Sequence, residues 1–191
     1  MLAAGSSSRF GSNKCQALLP NQVPMGIQSA SNLRLHVDEM VVVVPPNNEP
    51  LKCLFEAAGF LTQVSRNAPE GMSESLKSGV RYFDQETVTA FVIAFADMPL
   101  ISAESYQLIS AALREDAEIA RLAYGGRQGH PVGFNAGFRD ELLKLQGDKG
   151  AKVLLQKHPN AITLLAVNDP GILQDFDTRS LFEQFFNEQS A

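Results

Sequence analysis

The chain has 191 residues, of which 45% are hydrophobic, so it can bury one substantial core and we expect a single domain over 1–191. A net charge of −5 without any run of Lys or Arg argues against a nucleic-acid partner, because affinity for phosphodiester backbones comes from clustered cations. With two cysteines, no secretion-signal pattern and no apolar run near the roughly 20 residues that cross a bilayer, the sequence predicts a cytoplasmic protein without a membrane partner.

The amino-terminal segment combines small residues with cations. No Asp or Glu occurs from Met1 to Val37, and the glycines Gly5 and Gly11 stand close to Arg9 and Lys14. Glycines let backbone N–H groups approach a ligand and the cations balance its charge, as a polyphosphate requires. The spacing fits neither a Walker A loop nor a G-x-G-x-x-G loop. An ordinary surface loop is the alternative interpretation.

The strand that should lead into this loop is short. Only two residues precede Ala3, whereas a strand is ordinarily about 5–6 residues long. We therefore expect the first strand to be truncated and the natural protein to be longer at its amino terminus. The alternative is that Met1–Ala4 forms a stub strand.

Further along, short apolar runs alternate with segments of helical spacing, the pattern of an α/β layered domain. Met40–Val44 and Ala90–Ala96 are continuously apolar, which is typical of strands buried on both faces and predicts a parallel sheet core. The other patterns predict a helix ending at Gly59, a strand over Leu61–Val64, a helix through Leu76, Val80 and Phe83, and a helix capped by Ser102.

From Ile119 the pattern changes. Ile119–Tyr124 and Pro131–Phe134 flank the turn-rich Gly125–Gly129, which predicts an antiparallel hairpin that forms a wall of the substrate site. The remaining patterns predict helices over Asp140–Leu145 and over Lys149–Gln156, with Asp148 as N-cap of the second, a strand over Ile162–Val167, and a carboxyl-terminal helix that packs Leu181, Phe182, Phe185 and Phe186.

Five blocks, in the same order along the chain, resemble the nucleotidyltransferases related to molybdenum cofactor cytidylyl- and guanylyltransferases. The blocks are Leu2-Ala3-Ala4-Gly5 through Lys14, Asn67 with Gly71–Leu76, Ala96-Asp97-Met98-Pro99-Leu100, Gly129-His130-Pro131-Val132 with Gly147-Asp148-Lys149-Gly150-Ala151, and Asp175–Thr178. The resemblance covers nearly the whole chain. It implies an α/β, Rossmann-like nucleotidyltransferase fold with a mostly parallel sheet, helices on both faces and an added antiparallel hairpin.

The resemblance also implies roles for individual residues. Lys14, Arg9 and Asp97 are the expected catalytic residues, and Asp97, directly after a buried strand, is expected to hold Mg²⁺ with Asp175 as a second ligand. The expected nucleotide-binding residues are Leu2, Ala3, Ala4, Gly5, Arg9, Lys14, Asn67, Gly71 and Ser75, and His130 is expected to bind the acceptor.

Several of these residues have a structural alternative. Asp97 could be a turn residue before Pro99, Ser75 could face solvent, and His130 could be a satisfied structural histidine. Asp177 is expected to cap the last helix. Cys15 stands beside Lys14, which would lower its pKa, but we assign it no catalytic role.

The expected reaction is transfer of CMP from CTP, or of another nucleotide from its triphosphate, to molybdenum-molybdopterin. The resemblance implies a molybdenum hydroxylase or its accessory protein as the recipient of the product. Two alternatives stay open: a nucleotidyltransferase that acts on a sugar or methylerythritol phosphate, and a nucleotide-binding accessory protein without turnover.

Overall fold

The computed structural model of the protein describes residues 1–5, 10–11 and 13–188. The described strands are β1 (Val42–Val44), β2 (Thr62–Val64), β3 (Ala90–Ile93), β4 (Ile119–Tyr124), β5 (Arg127–Asn135) and β6 (Ile162–Ala166). The described α-helices are α1 (Met25–Arg34), α2 (Glu49–Ala57), α3 (Met72–Tyr82), α4 (Ala103–Arg114), α5 (Arg139–Leu143), α6 (Lys152–Lys157) and α7 (Arg179–Glu188). Among these described helices, none has both the length and the apolar character that a bilayer-spanning segment needs.

The segment Met1–Ala3 joins two groups of strands into one sheet. β1 pairs with β2, while β3, β5, β4 and β6 form the second group in that order. Leu2 forms parallel bridges to Val43 on one side and to Phe95 on the other. The Met1 amine donates a hydrogen bond to the Val41 carbonyl at 2.8 Å, and burial lowers the pKa of this amine to about 5. The segment is thus the short strand that the sequence leaves open as an alternative.

The sheet is mostly parallel, as predicted. The β1–β2 and β4–β6 pairs are parallel, and so are the bridges of Leu2. The β4–β5 hairpin is antiparallel, which confirms the prediction for Ile119–Phe134. The structure differs in one respect: β3, expected in a parallel core, has the antiparallel β5 beside it, because the hairpin folds back and places β5 between β3 and β4.

Several predicted elements are confirmed. α2 ends close to Gly59, whose φ of +82° belongs to the left-handed region that favours glycine. Ser102 caps α4, because its hydroxyl accepts a hydrogen bond from the Ser105 N–H at 3.2 Å. β2, α3, β6 and α7 all lie where the apolar pattern places them.

The prediction that Asp148 caps a helix over Lys149–Gln156 is wrong. α6 begins at Lys152, and Ala151 precedes it without a side-chain cap. The reason is Gly150, whose φ of +51° is left-handed and cannot belong to the first turn of an α-helix. Asp148 is left in the preceding turn.

α1 is not predicted from the sequence. Its buried residues are mostly small, namely Gly26, Ser29 and Ala30 beside Met25 and Leu33, so its inner face has no apolar stripe. The Ser29 hydroxyl donates to the carbonyl of Met25 and also to that of Ala96, each at 3.0 Å, so a polar residue is satisfied against the sheet. Periodicity alone does not detect a helix of this kind.

The two main apolar clusters lie on opposite faces of the sheet. Phe91 and Ile93 belong to the cluster of α3, α5 and α6, whereas Val92 packs against the cluster of α1, α2 and α4. Because successive residues of a strand point to opposite faces, helices cover both sides. A third group, the aromatic cluster, brings α7 onto the amino-terminal segment and consists of Phe10, Phe176, Phe182, Phe185 and Phe186 with Leu19 and Met25.

Candidate active site

An open cavity of about 1250 Å³ lies beyond the carboxyl ends of β1, Met1–Ala3 and β3. Open α/β sheets bind ligands at this edge. Ten residues that the sequence predicts for the site line the cavity: Leu2, Ala3, Ala4, Gly5, Lys14, Gly71, Ser75, Asp97, His130 and Asp175. Asn67 is exposed and is not among the lining residues. Arg9 lies outside the described residues.

Ala3, Ala4 and Gly5 carry the chain from the central sheet position into the cavity. The Ala3 N–H donates to the Val43 carbonyl at 2.8 Å, so the start of the loop is held by the sheet. A Cβ added at Gly5 would meet no described atom within 4 Å. Gly5 itself lines the cavity and has no side chain, so a ligand can approach its backbone closely.

Three carboxylates meet at one end of the cavity. One oxygen from each of Asp97, Asp175 and Asp177 lies within 4.8 Å of the others. Phe176 is completely buried in the aromatic cluster, and because extended residues alternate, Asp175 and Asp177 are presented together on the opposite side. Burial, together with the charges of Asp97 and Asp177, raises the pKa of Asp175.

Lys14 contacts two of these carboxylates. Its Nζ lies 2.5 Å from Asp97 Oδ2 and 3.0 Å from Asp177 Oδ1. The side chains of Lys14 and Asp97 are only 13% and 14% exposed. Burial alone would lower the pKa of Lys14, but the charges and hydrogen bonds of Asp97 and Asp177 outweigh it, so the pKa is raised. The ammonium is therefore charged in the neutral range.

Asp177 does not have the role expected of it. The N-cap of α7 is Thr178, whose hydroxyl accepts a hydrogen bond from the Leu181 N–H at 3.2 Å. Asp177 instead pairs with Lys14 and belongs to the carboxylate cluster. The signal in the sequence is the alternation Asp-Phe-Asp with an apolar residue in the middle, which places both carboxylates on one side of an extended segment.

Gly71 and Ser75 stand at the start of α3, on the side of the cavity that the sequence assigns to the base and ribose. Gly71 has a φ of +129°, and a Cβ there would lie 2.7 Å from the carbonyl carbon of Gly147 and 2.8 Å from an Asp148 oxygen. Only glycine fits this position. Ser75 is buried and does not face bulk solvent. Asp148, predicted as a helix cap, lines the cavity instead.

His130 lines the cavity from β5. Its ring packs edge-on against Phe95 with centroids 4.6 Å apart. Burial, with a contribution from Arg121, lowers the pKa of His130 to about 4, so the imidazole is neutral at physiological pH. The Nδ1 atom is buried and has no hydrogen-bond partner among the described residues.

Cys15 is buried in the apolar cluster of α1, α2 and α4. Burial raises the pKa of the Cys15 thiol to about 12, and the charge of Asp97 acts in the same direction. Lys14 does act to lower this pKa, as expected, but desolvation outweighs the single positive neighbour, so the net shift is upward. The thiol is protonated and the absence of a catalytic role stays a prediction.

The segment that carries Asp175 and Asp177 is anchored by Asp169, a residue that no sequence motif marks. Its buried carboxylate accepts hydrogen bonds from the Ser102 N–H at 2.8 Å, the Ser105 hydroxyl at 2.6 Å and the Gly171 N–H at 2.9 Å. These bonds tie the start of α4 to the approach to the carboxylate cluster. The available signal is an Asp-Pro-Gly turn, which predicts a loop without indicating what the loop positions.

The comparisons with known proteins agree with this geometry. Residues 1–162 match the family model described as a MobA-like NTP transferase domain. Two relatives are the purine catabolism protein PucB of Bacillus subtilis (strain 168), 28% identical over 93% of this chain and 89% of that protein, and the nicotine blue oxidoreductase of Paenarthrobacter nicotinovorans, 26% identical over 93% of this chain and 90% of that protein.

Among solved structures, Rv0371c from Mycobacterium tuberculosis H37Rv in complex with manganese is similar in fold. Its TM-score is 0.78 at 21% sequence identity, covering 97% of this chain and 95% of that chain. The matched region 1–162 contains Lys14, Asp97 and the β4–β5 hairpin. The chain belongs to the nucleotidyltransferase family defined by the MobA-like NTP transferase domain.

Proposed function

We propose that the protein, acting as one cytoplasmic domain, transfers CMP from CTP to molybdenum-molybdopterin and releases pyrophosphate. The observation that carries the proposal is the meeting of Lys14 and three carboxylates at the end of a glycine-containing loop, inside a cavity with room for a second substrate. CTP is favoured over GTP by Ala4, where the guanylyltransferase branch tends to carry Gly, and by the Gly-His-Pro-Val and Gly-Asp-Lys-Gly-Ala blocks.

The donor set of the carboxylate cluster suits a hard divalent cation. Asp97, Asp175 and Asp177 would hold Mg²⁺, because carboxylate oxygens are the ligands that Mg²⁺ prefers. When bound, the ion supplies positive charge that neutralises the phosphates during transfer. The manganese complex of Rv0371c supports a divalent cation in a protein of this fold.

The transfer itself is an in-line displacement. An oxygen of the acceptor's terminal phosphate attacks the α-phosphorus of CTP, the bond from the α-phosphorus to the oxygen bridging the β-phosphorus breaks, and pyrophosphate leaves. The new bond is the phosphoanhydride of the dinucleotide product. Ala3, whose own N–H is bonded to the Val43 carbonyl, positions Ala4 and Gly5, whose backbone N–H groups hold the triphosphate. Lys14 stabilises the charge on the leaving group. Positioning and electrostatics supply most of the rate enhancement.

Gly71 and Ser75 are assigned to the nucleoside side of the cavity. A bare backbone at Gly71 and a hydroxyl at Ser75 can read the edge of a pyrimidine or the ribose. Asn67 is retained in the proposal as a residue at the rim, since it immediately precedes Ala68 and Pro69, which line the cavity. Arg9 remains the proposed second cation for the triphosphate.

Three alternatives have different signatures. Another phosphorylated acceptor would leave the CTP requirement intact and change only the second substrate. A nucleotide-binding accessory protein would bind CTP without turnover, although such a protein has less need of both Lys14 and Asp97. The name of the Paenarthrobacter relative raises an oxidation–reduction reaction, but the cluster of three carboxylates, two of them paired with Lys14, suits phosphoryl chemistry.

The deciding experiment measures pyrophosphate release with each of the four nucleoside triphosphates and Mg²⁺, with and without molybdenum cofactor. We expect release with CTP only when the cofactor is present. Asp97→Asn should abolish it while the fold persists, because the change removes a charged ligand and leaves no cavity. A tenfold preference for GTP would refute the CTP assignment, and full activity of Asp97→Asn would remove Asp97 from the reaction.

A further inference from the structure

The tip of the β4–β5 hairpin forms one wall of the cavity. Gly125 and Gly126 have φ values of +55° and +78°, the left-handed conformations that a two-residue hairpin turn requires. β5 therefore begins at Arg127, and the four residues Arg127, Gln128, Gly129 and His130 all line the cavity. Gly129 contributes no side chain, so the polar groups on this wall are those of its three neighbours.

The charges around the cavity are unequal. The described lining residues include four aspartates and two cations, and the cations are Lys14 and Arg127. Lys14 already contacts two of the aspartates. Arg127 has no ion pair with any described residue, and its side chain is exposed. The described part of the cavity thus offers one cation that no carboxylate holds.

The other polar groups of the hairpin cannot replace this charge. The imidazole of His130, with its pKa lowered to about 4, is neutral in the physiological range. Arg121 belongs to β4 and is not among the lining residues. Its Nη1 donates to Gln128 Oε1 at 2.6 Å, which also fixes the Gln128 side chain.

We propose that Arg127 binds the phosphate monoester of the acceptor substrate and holds it at the hairpin side of the cavity. This inference rests on the proposed function, because the reaction must bring a phosphate dianion up to a triphosphate and a cluster of carboxylates. Such an approach is unfavourable unless a cation compensates it. A guanidinium suits the task because its planar fork donates two parallel hydrogen bonds to phosphate oxygens.

The test uses inorganic phosphate as the probe for this subsite. Phosphate is titrated calorimetrically into the full-length protein with Mg²⁺, both alone and after saturation with α,β-methylene-CTP, which fills the nucleotide side. We expect saturable phosphate binding in both titrations. Arg127→Ala should raise the dissociation constant of phosphate about tenfold, the scale of a lost charge-assisted bidentate contact. Arg127→Lys, which keeps the charge and loses the fork, should fall between the two.

Arg81→Ala is the charge-matched control, because Arg81 is exposed on α3 and does not line the cavity. It should bind phosphate like the wild type. Equal affinities of Arg127→Ala and Arg81→Ala, or a wild type without saturable phosphate binding, would overturn the proposal. These titrations require neither molybdopterin nor turnover, so a failure of the proposed reaction is seen separately, in the pyrophosphate assay.

A kinetic measurement separates binding of the acceptor from general damage to the site. With molybdenum cofactor as acceptor, Arg127→Ala should raise the KM for the cofactor about tenfold. The KM for CTP should stay within about twofold of the wild-type value. If Arg127→Ala raises the KM for CTP instead, Arg127 lies on the nucleotide side and the assignment to the acceptor is refuted.

Discussion

Lys14 is held between carboxylates that are also the proposed ligands of a metal ion. Its Nζ is paired with Asp97 and Asp177, so a cation that enters the cluster must displace the ammonium. We expect Lys14→Ala to lower turnover by about 10²-fold, the usual scale for one lost transition-state charge partner. The same variant should bind Mn²⁺ more tightly in the absence of nucleotide, by about fivefold if the displaced ion pair contributes roughly 1 kcal/mol.

Electron paramagnetic resonance of Mn²⁺ titrated into nucleotide-free protein measures this affinity directly. Lys52→Ala serves as the control, because Lys52 pairs with Glu49 and Glu56 on the surface of α2, outside the cavity. Weaker or unchanged Mn²⁺ binding by Lys14→Ala would show that the ammonium does not compete for the cluster.

His130 makes the stability of the metal-free protein depend on pH. Its pKa is lowered from an ordinary value of 6.5 to about 4, with burial as the main cause. The folded state therefore disfavours the protonated imidazole: the stability is fully present above pH 6.5 and is lost as the pH falls toward 4. At pH 5 the loss is about 2 kcal/mol.

Urea unfolding at pH 7.5 and pH 5, with EDTA present, measures the loss. His130→Gln replaces the imidazole with a neutral side chain of similar length that does not titrate. We expect the stability difference between the two pH values to be smaller in this variant than in the wild type by about the amount assigned to His130. Equal differences in the two proteins would mean that His130 is not buried in its neutral form.

The sequence predicts single residues well where a strand pattern fixes their position. Asp97 follows a continuously apolar run, so its place at the sheet edge can be read from the pattern alone. Asp177 and Asp148 are different, because both stand near a helix start and resemble caps. Their true neighbours, Lys14 and Gly71, lie far away in the chain, and no local pattern carries that information.

At the scale of elements, α7 connects the loop to the carboxylate cluster through the aromatic cluster. The ring centroid of Phe182 lies 5.9 Å from that of Phe10 and 5.5 Å from that of Phe176. Phe176 stands in the sequence between the two proposed metal ligands Asp175 and Asp177. Phe182→Ala should therefore lower the free energy of unfolding by about 3 kcal/mol. It should also raise the KM for CTP, because the loop and the carboxylates lose a shared support.

Phe60→Ala is the matched control for this effect, since Phe60 packs edge-on against Phe55 next to α2, and neither ring lines the cavity. Thermal unfolding gives the stability of both variants, and steady-state kinetics below their melting temperatures gives the KM. If Phe60→Ala raises the KM for CTP as much as Phe182→Ala does, the effect is general loosening and the support by α7 is refuted.

Elements with a strong apolar period were predictable and the others were not. α2, α4 and β6 follow their patterns, whereas α1 buries Gly26, Ser29 and Ala30 and has no stripe. The shift of α6 to Lys152 depends on the left-handed backbone of Gly150, which a propensity for helix cannot reveal. Backbone conformation and small-residue packing are decided by tertiary contacts.

At the scale of the whole molecule, the family resemblance predicts a mostly parallel sheet with helices on both faces, and the structure confirms this arrangement. The position of β5 between β3 and β4 is not visible in the sequence. The pattern shows that a hairpin exists, but strand order depends on which edge the hairpin meets, and that is a non-local pairing.

The pairing of Met1–Ala3 has a consequence for how the protein opens. Among the described strands, this segment is the connection between β1 and β3, with Leu2 bonded to both sides. Partial unfolding that breaks the hydrogen bonds of Met1–Ala3 would separate the sheet into two parts and release the loop that begins at Ala3. The amides that bond this segment are those of Val43, which donates to the Met1 carbonyl at 2.9 Å, and Ala96, which donates to the Leu2 carbonyl at 3.0 Å. Nucleotide bound to the loop should therefore slow amide hydrogen exchange to the same degree at Val43 and Ala96, on opposite sides of Met1–Ala3. Protection confined to one side would mean that the two parts exchange as separate foldons.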